Sequence, residues 1–169
     1  MNFKNLLNNP VPIYTDYNRK VDGLRLHLGC GEINLQGWIN IDGRDDKHIH
    51  LVSKDLNLKA FKDNSISEIY VCHVIEHFSY AEGHDLIKVF MKKLVKGGIL
   101  RISVPDFDKL ISIYNKNNKD FNSIKSSLMG GQNYKYNFHK SMYNKKSLKS
   151  LLEEHGFVNC VEWDPISDL

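Results

Sequence analysis

An α/β fold, a mostly parallel doubly wound sheet with helices on both faces, is predicted by three observations. β-prone runs alternate along the chain with apolar stripes at helical spacing, the first run ends in Gly29-Cys30-Gly31, and the next delivers a carboxylate, Asp42, eleven residues after Gly31. Strand and helix signals in alternation argue parallel strands joined by crossovers.

The elements follow in order. Residues 1–23 carry a short amphipathic turn (Phe3, Leu6, Leu7) cut off by Asn9-Pro10-Val11-Pro12, and read as an arm ahead of one domain over 24–169, with Tyr14 and Tyr17 covering the sheet. Leu24 to Leu28, where Arg25 and His27 alternate with leucines, is the first strand, and Trp38 to Ile41 the second. Gly43 to Lys47 is a polar loop, His48 to Val52 a third strand, and Lys62-Asp63-Asn64-Ser65 a turn. Ser67 to Val74 is nearly continuous in β-prone residues, as expected of a central strand buried on both faces. Leu86, Ile87, Phe90, Met91, Leu94 and Val95 predict a helix over Glu76 to Lys96, stopped by Gly97-Gly98. Ile99 to Val104 is the next strand, ended by Pro105, after which Asp106 caps a helix bearing Phe107, Leu110, Ile111 and Tyr114. Asn115 to Asp120 is a surface loop, Phe121 to Met129 a short helix closed by Gly130-Gly131, and Gln132 to Tyr143 an aromatic loop holding His139. Asn144 to His155 is the last helix, with Gly156 as its C-cap, and Phe157 to Trp163 a final strand.

Composition narrows the function classes. With 169 residues, 41% hydrophobic and 25% charged, the chain suits one core. Its net charge of +3 and pI near 8.6 come from scattered lysines, without a basic block to hold nucleic acid or a membrane surface. Cys30, Cys72 and Cys160 are odd in number and lack a CxxC spacing, which suits free thiols in a reducing compartment. No apolar run nears the roughly 18 residues of a membrane span, and no signal-peptide core is present, so a cytoplasmic location is expected.

A glycine turn followed by an acid-ended strand is how nucleotide-type ligands are held at the carboxyl ends of parallel strands, the acid accepting from ribose hydroxyls. The dinucleotide fingerprint is different: G-x-G-x-x-G opening a full helix, with the acid about 20 residues on. Here Asn34 stands at the third glycine, and at most a turn or two of helix fits before Asp42. A pyrophosphate wants a helix N-terminus beneath it, so NAD is disfavoured against a cofactor without phosphates. The bland alternative is a tight turn between two core strands.

Five segments carry a resemblance: Leu26-His27-Leu28-Gly29-Cys30-Gly31, Gly37-Trp38-Ile39-Asn40-Ile41-Asp42, His73-Val74-Ile75-Glu76-His77, Gly97 to Asp106, and Leu151 to Phe157. In this order they resemble class I S-adenosylmethionine-dependent methyltransferases, specifically a branch of predicted methyltransferases in which Gly-Trp-Ile-Asn-x-Asp follows the glycine motif closely. The resemblance implies a Rossmann-like seven-stranded sheet with its last strand antiparallel, and S-adenosylmethionine as cofactor. Gly29 and Gly31 would approach the methionine end, Asp42 would take the ribose hydroxyls, Asp55 and Leu56 would face the adenine, and His73 would meet the cofactor from the fourth strand. The implied reaction is methylation of an oxygen or nitrogen on a small molecule or glycan, since nothing in the composition suits a macromolecular acceptor. Two other classes stay open: a catalytically silent cofactor-binding subunit completed by a partner chain, and an NAD-dependent oxidoreductase. The chain departs from the resemblance at its end, where only Asp164 to Leu169 follow Trp163 and the C-terminal hairpin strand is missing. The edge left at Phe157 to Trp163, or at its neighbour Ile99 to Val104, is expected to pair with a second copy or a partner, or to be covered by Asp164 to Leu169.

Among the chemical residues, His73 to His77 also spells H-x-x-E-H, a zinc-peptidase signature. His73 follows directly on a strand, so the two histidines would not share a helix face, and no metal is assigned. Glu76 and His77 are expected to cap the following helix. His139 is the candidate general base for an acceptor hydroxyl, against a structural role in its loop. Cys30 has no neighbouring base to make it a nucleophile, and Asp106 reads as an N-cap.

Overall fold

The structure, a computed structural model, describes residues 23–163. The expectations for the N-terminal arm, Tyr14, Tyr17 and Asp164 to Leu169 lie outside the described residues. Strands β1 (Leu24–Leu28), β2 (Ile39–Asp42), β3 (Leu51–Val52), β4 (Ile66–Cys72) and β5 (Leu94–Ser103) form one sheet in the order β3-β2-β1-β4-β5, with every pairing parallel. Around it lie helices α1 (Tyr80–Lys93), α2 (Phe107–Lys116), α3 (Lys125–Met129) and α4 (Lys145–Glu154), with 3-10 turns at Ile75–His77 and Phe121–Ser123.

Register gives the sheet two unlike faces. Leu26 lies beside Ile39 and Ile69, and Leu28 beside Ile41 and Val71, with Leu100 and Ile102 continuing this apolar face through β5. Leu86, Ile87 and Phe90 of α1 and Leu148, Leu151 and Leu152 of α4 complete the same core, as their helical spacing predicts. The opposite face is polar and aromatic: Arg25 is aligned with Glu68, and His27 with Asn40 and Tyr70, with Arg101 beyond Tyr70 on β5. Tyr70 stacks on His27 at 4.8 Å and meets Trp38 and Trp163 edge-on at 6.2 and 5.6 Å. Arg25 lies over Trp38 and Arg101 over Trp163, and Arg101 forms a buried ion pair with Glu68. The alternation of Arg25 and His27 with leucine therefore marks partnered polar groups inside the protein.

That placement makes His27 a source of acid sensitivity. It is 1% exposed, and burial, opposed in part by its bond to Asn40, lowers its pKa to about 4. Between the unfolded value near 6.5 and the folded value near 4, the unfolded chain takes up a proton that the fold refuses. Stability is therefore lost as pH falls through that window, by about 3 kcal/mol between pH 7 and pH 4. Urea unfolding should show this loss in the native chain and a shallower loss in His27→Gln; parallel pH profiles would show that His27 is not the group responsible.

Several elements differ from expectation. The helix after β4 starts at Tyr80, because Ser79 and Glu82 form a capping box there; Glu76 and His77 sit in the preceding 3-10 turn and do not cap it. Gly97-Gly98 does not end that helix: Lys93 does, and the glycines form an excursion within β5, whose pairing to β4 jumps from Ile66–Leu94 to Glu68–Ile99. The third strand shrinks to Leu51–Val52: His48 turns its ring to the Gly31 carbonyl, and the His50 ring takes the Asn40 amide that a further ladder bond would use, while the His50 amide still reaches the Asn40 carbonyl. No strand forms over Phe157 to Trp163. Asn159 takes a positive φ of 56°, which breaks an extended run, while Phe157 and Trp163 bury their rings and Val158 is 73% exposed. Five strands, not seven, are present among the described residues, and β5 ends that sheet, so of the two edges expected, Phe157 to Trp163 or Ile99 to Val104, it is the second, on Ile99 to Ser103, that ends it.

Candidate functional site

The strand order reverses between β1 and β4, and in open parallel sheets ligands bind in the crevice outside the carboxyl ends at such a point. Gly29 and Gly31 follow β1, Asp42 ends β2, and His73 follows β4. Gly29 has φ of 62°, and a Cβ there would lie 2.2 Å from Val74 Cγ2, so both the backbone and the packing require glycine. Gly31, at φ of 58°, donates its amide to Asp42 Oδ2 at 2.8 Å and accepts at its carbonyl from His48 Nε2 at 2.9 Å. Asp42 also accepts from the Arg44 amide at 3.0 Å, and its side chain is 13% exposed. The acid is thus tied to the glycine loop that the sequence paired it with. Arg44, read as a polar loop residue, and His48, read as the start of the third strand, close the loop without a sequence signal that marks them for it.

The Gly-Trp-Ile-Asn-x-Asp string acquires a physical meaning here. Asn40 is fully buried; its amide group donates to Asn34 Oδ1 at 2.8 Å, its carbonyl oxygen takes the His27 ring at 3.2 Å, and its backbone amide reaches His50 Nδ1. One side chain thereby fixes the connector between β1 and β2. That connector contains no helix.

Asp55 and Leu56 sit on the loop after β3. The Asp55 carboxylate accepts from Ser53 and Asn57, whose bonds hold it below the usual carboxylate range, the Asn57 amide contributing most. Leu56, at a positive φ of 50°, is buried in the core. Among the described residues no hydrogen bond joins Asp55 to the glycine loop. His73 has φ of 54°; its amide donates to the Ser103 carbonyl at 2.8 Å and its Nδ1 lies 3.2 Å from Glu76 Oε1. Cys30 is buried, and burial first, then the Asp42 charge, pushes its thiol up to about 11, which leaves it unreactive.

His139 is brought to the end of β4 by its own loop. Lys140 and Ser141 donate their amides to the Glu76 carbonyl, at 2.7 and 3.2 Å, and the His139 amide donates to Met129 O. Its ring Nδ1 lies 3.0 Å from the Ser127 carbonyl and its ring meets that of His77 edge-on at 4.8 Å. Burial lowers its pKa, opposed by the Glu76 carboxylate, so the ring is neutral near pH 7. Sequence reasoning missed Glu76: it is fully buried beside His73, His77 and His139, although H-x-x-E-H had marked the position.

No protein-family model and no curated protein sequence matches the chain. Solved structures do share its fold. A SAM-dependent methyltransferase from Archaeoglobus fulgidus aligns with a TM-score of 0.56 at 19% identity, over 80% of this chain and 61% of that one. A SAM-dependent methyltransferase from Thermotoga maritima, described as a possible histamine N-methyltransferase, aligns at 0.54 and 16% identity, over 81% and 65%. The complex between the Haloferax volcanii Trm112 methyltransferase activator and a putative methyltransferase aligns at 0.55 and 11% identity, over 91% and 66%. The chain therefore spans somewhat under two thirds of these structures. The class defined by the sheet order and these neighbours is the Rossmann-like α/β fold.

Proposed function

We propose that the chain binds S-adenosylmethionine and transfers its methyl group to an oxygen or nitrogen of a small molecule or glycan. The observation that carries this reading is the bonded pair of Gly31 and Asp42 at the switch point, on a connector without a helix. A carboxylate offers about four acceptor positions; the Gly31 and Arg44 amides take two and Arg44 Nε, 3.4 Å from Oδ1, a third, so a ribose hydroxyl would use the remaining position and a second would replace the Arg44 side chain. The missing helix N-terminus suits a nucleoside without phosphates and disfavours NAD. Gly29 and Gly31 would border the methionine end, Asp55 and Leu56 the adenine, and His73 the β4 side.

The reaction is an in-line displacement. The acceptor lone pair forms the new bond to the methyl carbon, the C–S electron pair stays on sulfur, and an acceptor proton leaves. Much of the acceleration comes from positioning. His139, with Nδ1 turned to a carbonyl, keeps Nε2 free, to take that proton directly or to act through a bound cation.

Calorimetry tests the cofactor half. S-adenosylmethionine and S-adenosylhomocysteine should bind and NAD should not. Asp42→Ala should weaken S-adenosylhomocysteine by about 1.5–3 kcal/mol, the range for hydrogen bonds to a charged group. Unchanged affinity in that variant, or tight NAD binding, would remove this reading.

A cofactor-binding subunit completed by a partner is the second reading, favoured by the Haloferax volcanii neighbour, which is a complex with an activator. Pairing through the β5 edge, with a partner or a second copy, would be its route; light scattering that finds a strict monomer fully active alone would exclude it. Among the described residues no helix is long and apolar enough to cross a membrane.

A further inference from the structure

At the end of β4, one ligand atom each from Glu76, His77 and His139 lie within 4.8 Å of one another. Glu76 is 0% exposed. Its Oε1 meets His73 Nδ1, but its Oε2 is buried with no hydrogen-bond partner. A buried carboxylate oxygen left unpaired is costly, and a native structure keeps one where something else satisfies it.

The two histidines are already oriented for such an occupant. His77 Nδ1 lies 3.2 Å from the Phe138 carbonyl and His139 Nδ1 3.0 Å from the Ser127 carbonyl. Carbonyls only accept, so both rings carry their proton on Nδ1 and keep the lone pair on Nε2. Ligating histidines are commonly fixed in this way, by the bond that their other nitrogen donates. The backbone bonds from Lys140 and Ser141 to Glu76 hold the two segments together.

We propose that Glu76, His77 and His139 bind a divalent transition metal, of which zinc is the representative, through Glu76 Oε2 and the two Nε2 atoms. Two imidazoles and one carboxylate suit such a metal better than magnesium or calcium, which prefer oxygen alone. Three protein ligands leave a position open, as in catalytic rather than structural zinc sites. His73 is not in the set, so this is not the H-x-x-E-H arrangement of a peptidase. Bonds of about 2.0–2.1 Å require the ligand atoms, now within 4.8 Å of one another, to draw in on binding. The role of the site rests on the methyltransferase reading: an acceptor oxygen in the open position would lose its proton to water more readily, and His139 would then be a ligand and not the base. The binding itself does not depend on that reading.

A second cluster, His84, Glu154 and His155, has comparable spacing, but there His84 Nδ1 and His155 Nε2 bond each other at 3.0 Å and no buried atom lacks a partner. It serves as the control. Chelator-treated full-length chain is titrated with Co2+ and Zn2+, by calorimetry and by the visible absorption of protein-bound cobalt. One equivalent should bind the native chain and His84→Ala equally. In Glu76→Gln, His77→Ala and His139→Ala the affinity should fall by more than the roughly 10–100-fold that loss of an outer partner costs. Circular dichroism identifies any variant that fails to fold, and the other two then decide. No saturable binding by the native chain, or binding lost in His84→Ala and kept in Glu76→Gln, overturns the proposal. Parallel titration with S-adenosylhomocysteine separates the two readings. Cofactor binding without metal binding sinks only this site, and metal binding without cofactor binding supports the site and sinks only its role.

Discussion

His139→Ala is expected to lower methyl transfer about 100- to 10,000-fold while leaving S-adenosylhomocysteine affinity within about twofold. The separation follows from placement. His139 is anchored to Met129, Ser127 and His77, and among the described residues none of these hydrogen bonds and ring contacts reaches Gly29, Gly31 or Asp42. Its neutral ring is chemically competent at pH 7 because burial outweighs the pull of the Glu76 carboxylate. A base and a metal ligand both predict the fall in rate, and they part on a second measurement. If the ring is the base, a chelator leaves the native rate unchanged. If it is a ligand, the chelator removes the rate and added zinc restores it. An equal fall in rate and cofactor affinity would make His139 a structural loop residue, and so would no fall at all. The acceptor for this assay has first to be found by screening small hydroxyl and amine compounds.

What could be read from the sequence was what local chemistry alone determines. The turn at Gly29 and Gly31 was legible because positive φ excludes most side chains, and Asp42 because it ends the next strand, where its carboxylate meets the Gly31 amide. Leu86, Ile87 and Phe90 of the stripe expected for α1 are buried because one helical period decides which side chains face the core, whereas Leu94 and Val95 pass into β5. Where long-range packing decides, the sequence was silent. Phe157 to Trp163 is as apolar as a strand, but Trp163 is drawn to Tyr70 and Arg101 across the sheet, and no ladder forms. Glu76 reads as a cap because its spacing from an apolar run cannot reveal total burial. The real cap was written in the sequence: Ser79 and Glu82 have the spacing of a capping box. Asn40 belonged to a string recognised by resemblance, yet its role in tying Asn34, His27 and His50 together needed the fold.

Glu68→Ala should destabilise the fold by about 3–5 kcal/mol, the cost of leaving a buried charge without its partner. Glu68 and Arg101 are 7% and 9% exposed, and they pair between adjacent strands in the middle of the polar face. Removing the carboxylate strands the guanidinium beneath Trp163, whose ring gives a cation–π contact at 5.3 Å but cannot accept the hydrogen bond from Nε. The pair itself need not be a net source of stability, since burying two charges costs much of what their attraction returns. The double variant Glu68→Met, Arg101→Leu should therefore recover most of the loss, because neither charge remains to be compensated and the aliphatic chains keep Trp163 and Tyr70 covered. Urea unfolding of the two variants and the native chain at pH 7 decides it. A loss under about 1 kcal/mol in Glu68→Ala would mean that the pair behaves like a surface ion pair and that water reaches Arg101. A double variant no more stable than the single one would mean that the two charges hold the register of β4 and β5.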